Sequence, residues 1–214
     1  MVKALYVLGA GGHSSVLVDS LKGEGEVVDA IFSPEQDLSR QSLCDIKHFP
    51  DEDILLDQDP NHFLLVNGIG SLPGNALRQI IFCKFSEKGY IFKQVISKHA
   101  IVSPYAILGH GVQIMAGAIV QAGAKIGDNS IINTGAIIEH DCIIGEHNHI
   151  APGVTLSGQV TTGNNVHIGT GAVVIQGISI EEQSVIAAGA IITQNIEKNK
   201  IVFGARANIQ SKKV

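Results

Sequence analysis

Aliphatic residues recur at every sixth position through the second half of the chain, and this period constrains the fold more than any other feature. Among these positions only Thr162 is not aliphatic, and threonine is β-branched and nearly isosteric with valine. An amphipathic helix repeats every 3.6 residues and a strand every two. A six-residue period is typical of a hexapeptide β-helix, in which short parallel strands are joined by tight turns. The positions are Val102, Leu108, Ile114, Val120, Ile126, Ile132, Ile138, Ile144, Ile150, Leu156, Thr162, Ile168, Val174, Ile180, Ile186 and Ile192.

The repeat also predicts which residues lie above one another. Three hexads make one triangular coil of about 18 residues, so residues i and i+18 stack about 4.8 Å apart, the usual spacing of neighbouring strands. Small residues precede many of the aliphatic positions by two, and glycine often follows them by three, as sharp corners require. The register runs without insertion from Val102 to Ile192.

The first half of the chain has a different pattern, in which apolar runs alternate with helical stretches. This alternation predicts a small, Rossmann-like parallel α/β sheet. We therefore predict two domains, residues 1–95 and residues 96–214, the second including a C-terminal tail. Strands are expected at 4–8, 27–32, 63–66 and 90–95, and helices at 14–22 and 75–88.

Composition excludes several classes of protein. The net charge of −5 argues against nucleic acid as the main partner. No stretch approaches 18 consecutive apolar residues, so no transmembrane helix is predicted. The N-terminus has no signal-peptide pattern. Cys44, Cys83 and Cys142 are scattered without metal-site spacing, which fits a reducing cytoplasm. The expectation is a cytoplasmic protein without membrane or nucleic-acid partners.

A glycine-rich turn follows the first predicted strand. Gly9-Ala10-Gly11-Gly12-His13-Ser14 resembles a dinucleotide fingerprint with serine at the third glycine. Such a turn presents backbone N–H groups to a phosphate, although a tight turn without ligand has the same pattern. No acidic residue ends the second strand at Phe32-Ser33-Pro34, which disfavours NAD. A mononucleotide or a nucleotide-sugar pyrophosphate fits the turn better.

His140 is the candidate catalytic residue. It lies at a corner between hexads, flanked by Glu139 and Asp141. A neighbouring carboxylate orients an imidazole and raises its basicity, as a general base for acyl transfer needs. The alternative is a surface histidine in an acidic run. Gly158, one coil above, is expected to offer its N–H to the oxyanion of a tetrahedral intermediate.

His149 lies half a coil from His140, with His167 stacked above it. Half a coil places it on another edge of the prism. We therefore expect His149 to approach His140 of a neighbouring subunit, which predicts a site between subunits.

Several motifs together resemble one enzyme family. They are Gly9-Ala10-Gly11-Gly12-His13, Asn67-Gly68-Ile69-Gly70, Asn133-Thr134-Gly135-Ala136, Glu139-His140-Asp141-Cys142 and His149-Ile150-Ala151-Pro152-Gly153. The combination is similar to the sugar O/N-acyltransferases that include the PglD-like UDP-4-amino-sugar acetyltransferases of bacillosamine synthesis and the NeuD-like sialic acid O-acetyltransferases. The resemblance covers essentially the whole chain.

The resemblance implies a fold and a set of roles. The β-helix would be left-handed and would assemble as a homotrimer, with acetyl-CoA bound between subunits and no metal. The N-terminal domain would bind the nucleotide sugar. By resemblance, His140 is the base and Asp141 its acidic partner, and His149 contacts the acetyl-CoA end of the site. The remaining assignments are Thr170 and Ala188 near the coenzyme groove, and Gly11, Gly12, His13 and Gly68 at the nucleotide sugar.

The predicted function is acetyl-CoA-dependent N-acetylation of the 4-amino group of a UDP-linked amino sugar for glycan synthesis, without a covalent enzyme intermediate. Ser33-Pro34-Glu35 departs from the acidic residues found after the second strand in acceptor-binding relatives, which leaves the acceptor open. Three alternatives remain: sialic acid O-acetylation, a zinc lyase of the γ-carbonic anhydrase type, and a non-catalytic assembly protein. The lyase pattern H-x4-H is missing, since His147 and His149 are only two residues apart.

Overall fold

The computed structural model describes residues 3–35 and 39–205, so the tail from residue 206 lies outside the described residues. The N-terminal region is a four-stranded parallel sheet with strand order β3-β2-β1-β4. No helix in the two described ranges has the length and apolar character needed to cross a membrane. The elements are β1 (Ala4–Leu8), α1 (Gly12–Gly23), β2 (Ala30–Phe32), β3 (Lys47–Phe49), 3₁₀ turns at Glu52–Leu55 and Pro60–His62, β4 (Phe63–Asn67) and α2 (Leu77–Ser86).

The predicted parallel α/β sheet is confirmed, with differences at its edges. The edge strand β3 was not predicted, because three residues are too short to show a period. The strand expected at 90–95 is wrong: Phe92 makes only an isolated bridge to Leu65. The chain leaves the sheet there, and the Phe92 carbonyl accepts a hydrogen bond from Gly111 N of the second domain.

The second domain is a triangular parallel solenoid with three sheets, consistent with a left-handed β-helix of hexapeptide repeats. We number the faces in chain order. Face 1 contains Val95–Ile96, Gln113–Ile114, Ile131–Ile132, His149–Ile150, His167–Ile168, Val185–Ile186 and Ile201–Val202. Face 2 contains Ile101–Val102, Ile119–Val120, Ile137–Ile138, Thr155–Leu156, Val173–Val174 and Ile191–Ile192. Face 3 contains Ile107–Leu108, Lys125–Ile126, Ile143–Ile144, Thr161–Thr162 and Ser179–Ile180.

The predicted register of 18 residues per coil is confirmed. Ile132 pairs with Ile150, which pairs with Ile168. Beyond Ile192 the coil shortens by two residues, because Ile186 pairs with Val202. The aliphatic pattern therefore ends where the spacing changes, although the solenoid continues.

The sixth-position side chains fill the interior of the prism. From Ile114 to Ile192 all are buried, and Thr162 is only 7 % exposed. The Thr162 hydroxyl accepts hydrogen bonds from Asn148 Nδ2 at 2.6 Å and from Gly145 N at 3.1 Å. A threonine replaces an aliphatic residue here because buried Asn148 needs a polar partner.

Candidate active site

His140 occupies the corner between faces 2 and 3, immediately after the strand Ile137–Ile138 and Glu139. Its Nδ1 lies 2.9 Å from Asp141 Oδ2, and both side chains are well exposed in the single chain. A carboxylate only accepts, so Nδ1 carries the hydrogen and Nε2 keeps its lone pair. The pair has the arrangement of an oriented general base.

Two glycines make room for this pair. Asp141 adopts a left-handed conformation, with φ of 59°, which brings its carboxylate beside the ring. A Cβ at Gly123, one coil below, would collide with the Asp141 carboxylate. A Cβ at Gly158, one coil above, would lie 2.5 Å from His140 Nε2. The imidazole therefore packs directly over buried Gly158.

His149 projects from face 1 towards the N-terminal domain. Its Nδ1 donates to the Ser71 carbonyl at 3.0 Å, and its Nε2 accepts from Asn133 Nδ2 at 3.0 Å. Asn133 Oδ1 accepts from Thr134 N at 2.8 Å, which fixes the orientation of the amide. Burial, with the neighbouring His167, lowers the pKa of His149 to about 4. This ring is neutral with both nitrogens occupied.

His13 is the second residue of α1, directly after the glycine turn that follows β1. Its Nε2 donates to Gln113 Oε1 at 2.7 Å, and Gln113 Nε2 donates to the Asn67 carbonyl at 2.7 Å. Burial, reinforced by the positive charge of Arg78, lowers the pKa of His13 to about 4. The turn is thus tied to face 1 of the β-helix.

A cavity of about 300 Å³ lies between the two domains. Gly12 and His13 line it from the glycine turn, Gly70 and Ser71 from the loop after β4, and His149 from face 1. Gly11 caps the N-terminus of α1, and no side chain caps this helix. The exposed backbone N–H groups at this end are suited to a phosphate.

Comparison with known proteins identifies the family. Residues 123–158 match the family described as bacterial transferase hexapeptide (six repeats), and residues 159–194 match the hexapeptide repeat of succinyl-transferase. PerB of Caulobacter crescentus, crystallised with CoA and GDP-perosamine, is 32 % identical, with 99 % of each chain covered and a TM-score of 0.84. The chain belongs to the PglD/NeuD-like family of sugar acetyltransferases.

Other members and neighbours agree with this assignment. The acetyltransferase domain of PglB from Neisseria gonorrhoeae, in complex with acetyl coenzyme A, is 30 % identical over 95 % of this chain and 97 % of that chain, with a TM-score of 0.86. WeeI from Acinetobacter baumannii is 18 % identical over 95 % and 97 % of the two chains, with a TM-score of 0.81, and shares the fold. No curated protein sequence matches the chain significantly.

The acetyltransferase places its predicted site residues in three groups. His140, Asp141 and Gly158 meet at the corner between faces 2 and 3. Thr170 and Ala188 stack, exposed, at the corner between faces 1 and 2, where Gly189 N donates to the Thr170 carbonyl at 2.9 Å. The cavity brings Gly12 and His13 together with His149, although the sequence assigned them to different substrates.

Gly68 does not line this cavity. A Cβ there would collide with Ser14 Oγ, which donates to the carbonyls of Gly9 at 2.6 Å and Gly68 at 2.9 Å. Serine at the third fingerprint position thus fastens the two glycine turns together, and Gly68 permits their close approach.

Sequence reasoning assigned no role to Gln113, Asn133 or Arg78. Gln113 lies at an outward position of face 1 and is buried. The sequence did not signal this, because either an aliphatic residue or an exposed side chain is ordinary at such a position. His147 accepts from Asn129 Nδ2 at 3.0 Å, one coil below, and also packs edge-on against Phe82 of α2, with ring centroids 5.6 Å apart.

Among the described residues, no three histidine, cysteine or acidic side chains cluster in a way that would hold a metal ion.

The two buried histidines predict acid sensitivity of the fold. Both His13 and His149 have a folded-state pKa of about 4, below the ordinary 6.5. Between these values the unfolded chain binds more protons than the folded chain, so the free energy of unfolding should fall as pH drops from about 6.5 to about 4. The slope corresponds to the uptake of up to one proton per histidine on unfolding. Urea unfolding across this range measures the slope. The His13→Gln/His149→Gln variant should show a shallower slope, and an unchanged slope would contradict the assignment.

Proposed function

We propose that this acetyltransferase transfers an acetyl group from acetyl-CoA to the 4-amino group of a nucleotide-linked amino sugar. The His140–Asp141 pair, exposed at a corner with Gly158 of the next coil against the ring, is the observation that carries this proposal. Similarity to PerB, crystallised with CoA and GDP-perosamine, and to the PglB domain with acetyl coenzyme A supports the donor and the class of acceptor.

The chemistry needs one base and no covalent enzyme intermediate. His140 Nε2 takes a proton from the amine as its nitrogen attacks the thioester carbonyl. The attack forms the C–N bond and gives a tetrahedral intermediate, whose collapse restores the carbonyl of the new amide as the C–S bond breaks. The imidazolium returns its proton to the departing thiolate. Asp141 holds the hydrogen on Nδ1 and stabilises the imidazolium.

Gly158 is proposed to support the oxyanion of the tetrahedral intermediate. It lies one coil above His140, and its side-chain-free Cα already borders the reactive Nε2. A backbone N–H in this position requires no reorganisation as charge develops on the thioester oxygen.

The two substrates are proposed to bind on different elements. Gly11, Gly12 and His13 would hold the nucleotide sugar at the uncapped end of α1, with Gly68 setting the shape of the adjoining turn. Thr170 and Ala188 would line the coenzyme groove. His149 would meet the acetyl end of the donor, and because both of its nitrogens are engaged it would position neighbouring groups rather than exchange protons.

A homotrimer is proposed because aliphatic side chains project outward on faces 2 and 3, the two faces that meet at the corner of His140. On face 2, Ile101 and Ile191 are 67 % and 70 % exposed, and on face 3, Ile107 is 62 % exposed. Burying such residues against a second copy would be favourable and would shield the exposed base from water. This arrangement would place the site between protomers.

An acetyl-CoA assay against a panel of amino sugars tests the function. We expect N-acetylation of a UDP-linked 4-amino sugar, with the GDP-linked and dTDP-linked sugars deciding the nucleotide preference. Free sialic acid is the comparison acceptor for O-acetylation. Transfer to sialic acid with no transfer to any amino sugar would overturn the proposal.

His13→Ala is expected to raise KM for the nucleotide sugar about tenfold or more, while KM for acetyl-CoA changes less than twofold. The reason is that His13 lines the glycine-turn cavity and fixes the turn through Gln113. Steady-state kinetics with each substrate varied measures both constants. His62→Ala, an exposed histidine of the same domain, is the control. Equal effects on both substrates would refute the division of labour between the domains.

A further inference from the structure

Arg78 is a buried guanidinium without a carboxylate partner. It is the second residue of α2 and only 4 % exposed. None of the ion pairs in the described parts of the chain includes it. Burying an unpaired charge is costly, so a retained one needs a reason.

Among the described residues, every hydrogen bond of the Arg78 side chain goes to a backbone carbonyl at the junction of the two domains. Its Nη1 donates to Asn67 O at 2.8 Å and to Ile69 O at 2.7 Å, both in the turn that follows β4. Its Nε and Nη2 both donate to Asn129 O at 3.2 Å, at the corner between faces 3 and 1 of the β-helix. One side chain thus fixes the turn relative to the solenoid.

The same turn borders the proposed sugar cavity. Gly70 and Ser71, which continue it, line the cavity beside His149. Gln113 and His149 also bond the turn, at the Asn67 and Ser71 carbonyls, but each reaches only one of them. Arg78 alone among these three side chains holds two carbonyls of the turn and a carbonyl of the β-helix.

We propose that Arg78 is a positioning residue for the nucleotide sugar: it holds the Asn67–Ser71 turn in register with the β-helix and places a fixed positive charge behind the cavity that receives the phosphates. The inference rests on the proposed function for the identity of the ligand. Its electrostatic part has separate support, because the charge of Arg78 contributes to the lowered pKa of both His13 and His149, which line this cavity. A charge felt at those rings also acts on an anion bound between them.

Three variants test the proposal. Arg78→Met removes the charge and the donors at similar length. Arg78→Lys keeps the charge with fewer donors. Phe85→Leu disturbs the packing of the same helix without touching the junction. We expect Arg78→Met to raise KM for the nucleotide sugar at least tenfold and KM for acetyl-CoA less than twofold. Arg78→Lys should restore part of the loss, and Phe85→Leu should lower Tm with both KM values unchanged.

Hydrogen exchange provides a readout that does not depend on activity. The amides of residues 67–71 should exchange faster in both Arg78 variants than in the wild type, and at the wild-type rate in Phe85→Leu. The proposal would be overturned if Arg78→Met left both the KM for the nucleotide sugar and the exchange rates unchanged. It would also be overturned if Phe85→Leu changed both quantities as much as Arg78→Met does. If the wild type acetylates no amino sugar, the proposed function fails, and the exchange rates still decide whether Arg78 holds the turn. If Arg78→Met does not fold, Arg78→Lys carries the same comparison.

Discussion

Replacing His140 with alanine is expected to lower kcat by about a hundredfold or more, the usual contribution of a general base. The variant loses the imidazole whose Nδ1 is held by Asp141 and whose Nε2 lies against Gly158. KM for acetyl-CoA should change little, because the ring acts on the acceptor nitrogen as the bond forms. Steady-state kinetics with the acceptor identified by the panel measures both constants.

Two further variants separate chemistry from folding. Asp141→Asn keeps a residue that tolerates the left-handed conformation and removes the charge that stabilises the imidazolium, so its kcat should fall by about tenfold or more. His110→Ala, at an exposed corner five hexads earlier in the chain, should retain wild-type turnover and Tm. Wild-type turnover in His140→Ala would remove this histidine from the mechanism.

The corner that carries His140 could be predicted from sequence because it depends on one repeating rule. Asp141 is the chain neighbour of His140, and Gly158 is 18 residues later, so stacking alone brings them together. The structure confirms this juxtaposition, with Gly158 directly against the ring. Thr162 is the one exception to the aliphatic repeat, and its hydrogen bond with Asn148 in the interior also joins residues of neighbouring coils.

The junction between the domains follows no such rule. His13 meets Gln113 across 100 residues, and His149 meets Ser71 across 78. Neither periodicity nor a motif relates positions in an α/β sheet to positions on a solenoid face. Arg78 could not be recognised for a further reason: by sequence it is an ordinary helix residue, and its partners are backbone carbonyls of both domains, which no side-chain pattern reveals. The role of His149 therefore depended on resemblance, whereas its partners had to come from the structure.

Gly158→Ala is expected to lower kcat by tens of fold while leaving the fold intact. An added Cβ would lie 2.5 Å from His140 Nε2, so the ring must turn away from its present place. A displacement of about 1 Å in a catalytic group costs on the order of a hundredfold in rate. The backbone of Gly158 does not require a positive φ, so alanine should not strain it, and Tm should stay near the wild-type value. Gly23→Ala, whose Cβ would meet only the mobile end of Lys98 at 3.7 Å, is the matched control.

A double-mutant cycle distinguishes the two roles that Gly158 has in the proposed mechanism. Alanine keeps the backbone N–H, so if the substitution acts only through the ring, adding Gly158→Ala to His140→Ala should cause no further loss. A further loss in the double variant would show that the Cβ also disturbs the space where the oxyanion forms. Full additivity of the two single effects would mean that Gly158 does not act through His140 at all. In that case the close packing of the imidazole over this glycine would have no part in catalysis, and the base would have to be held in place by Asp141 alone.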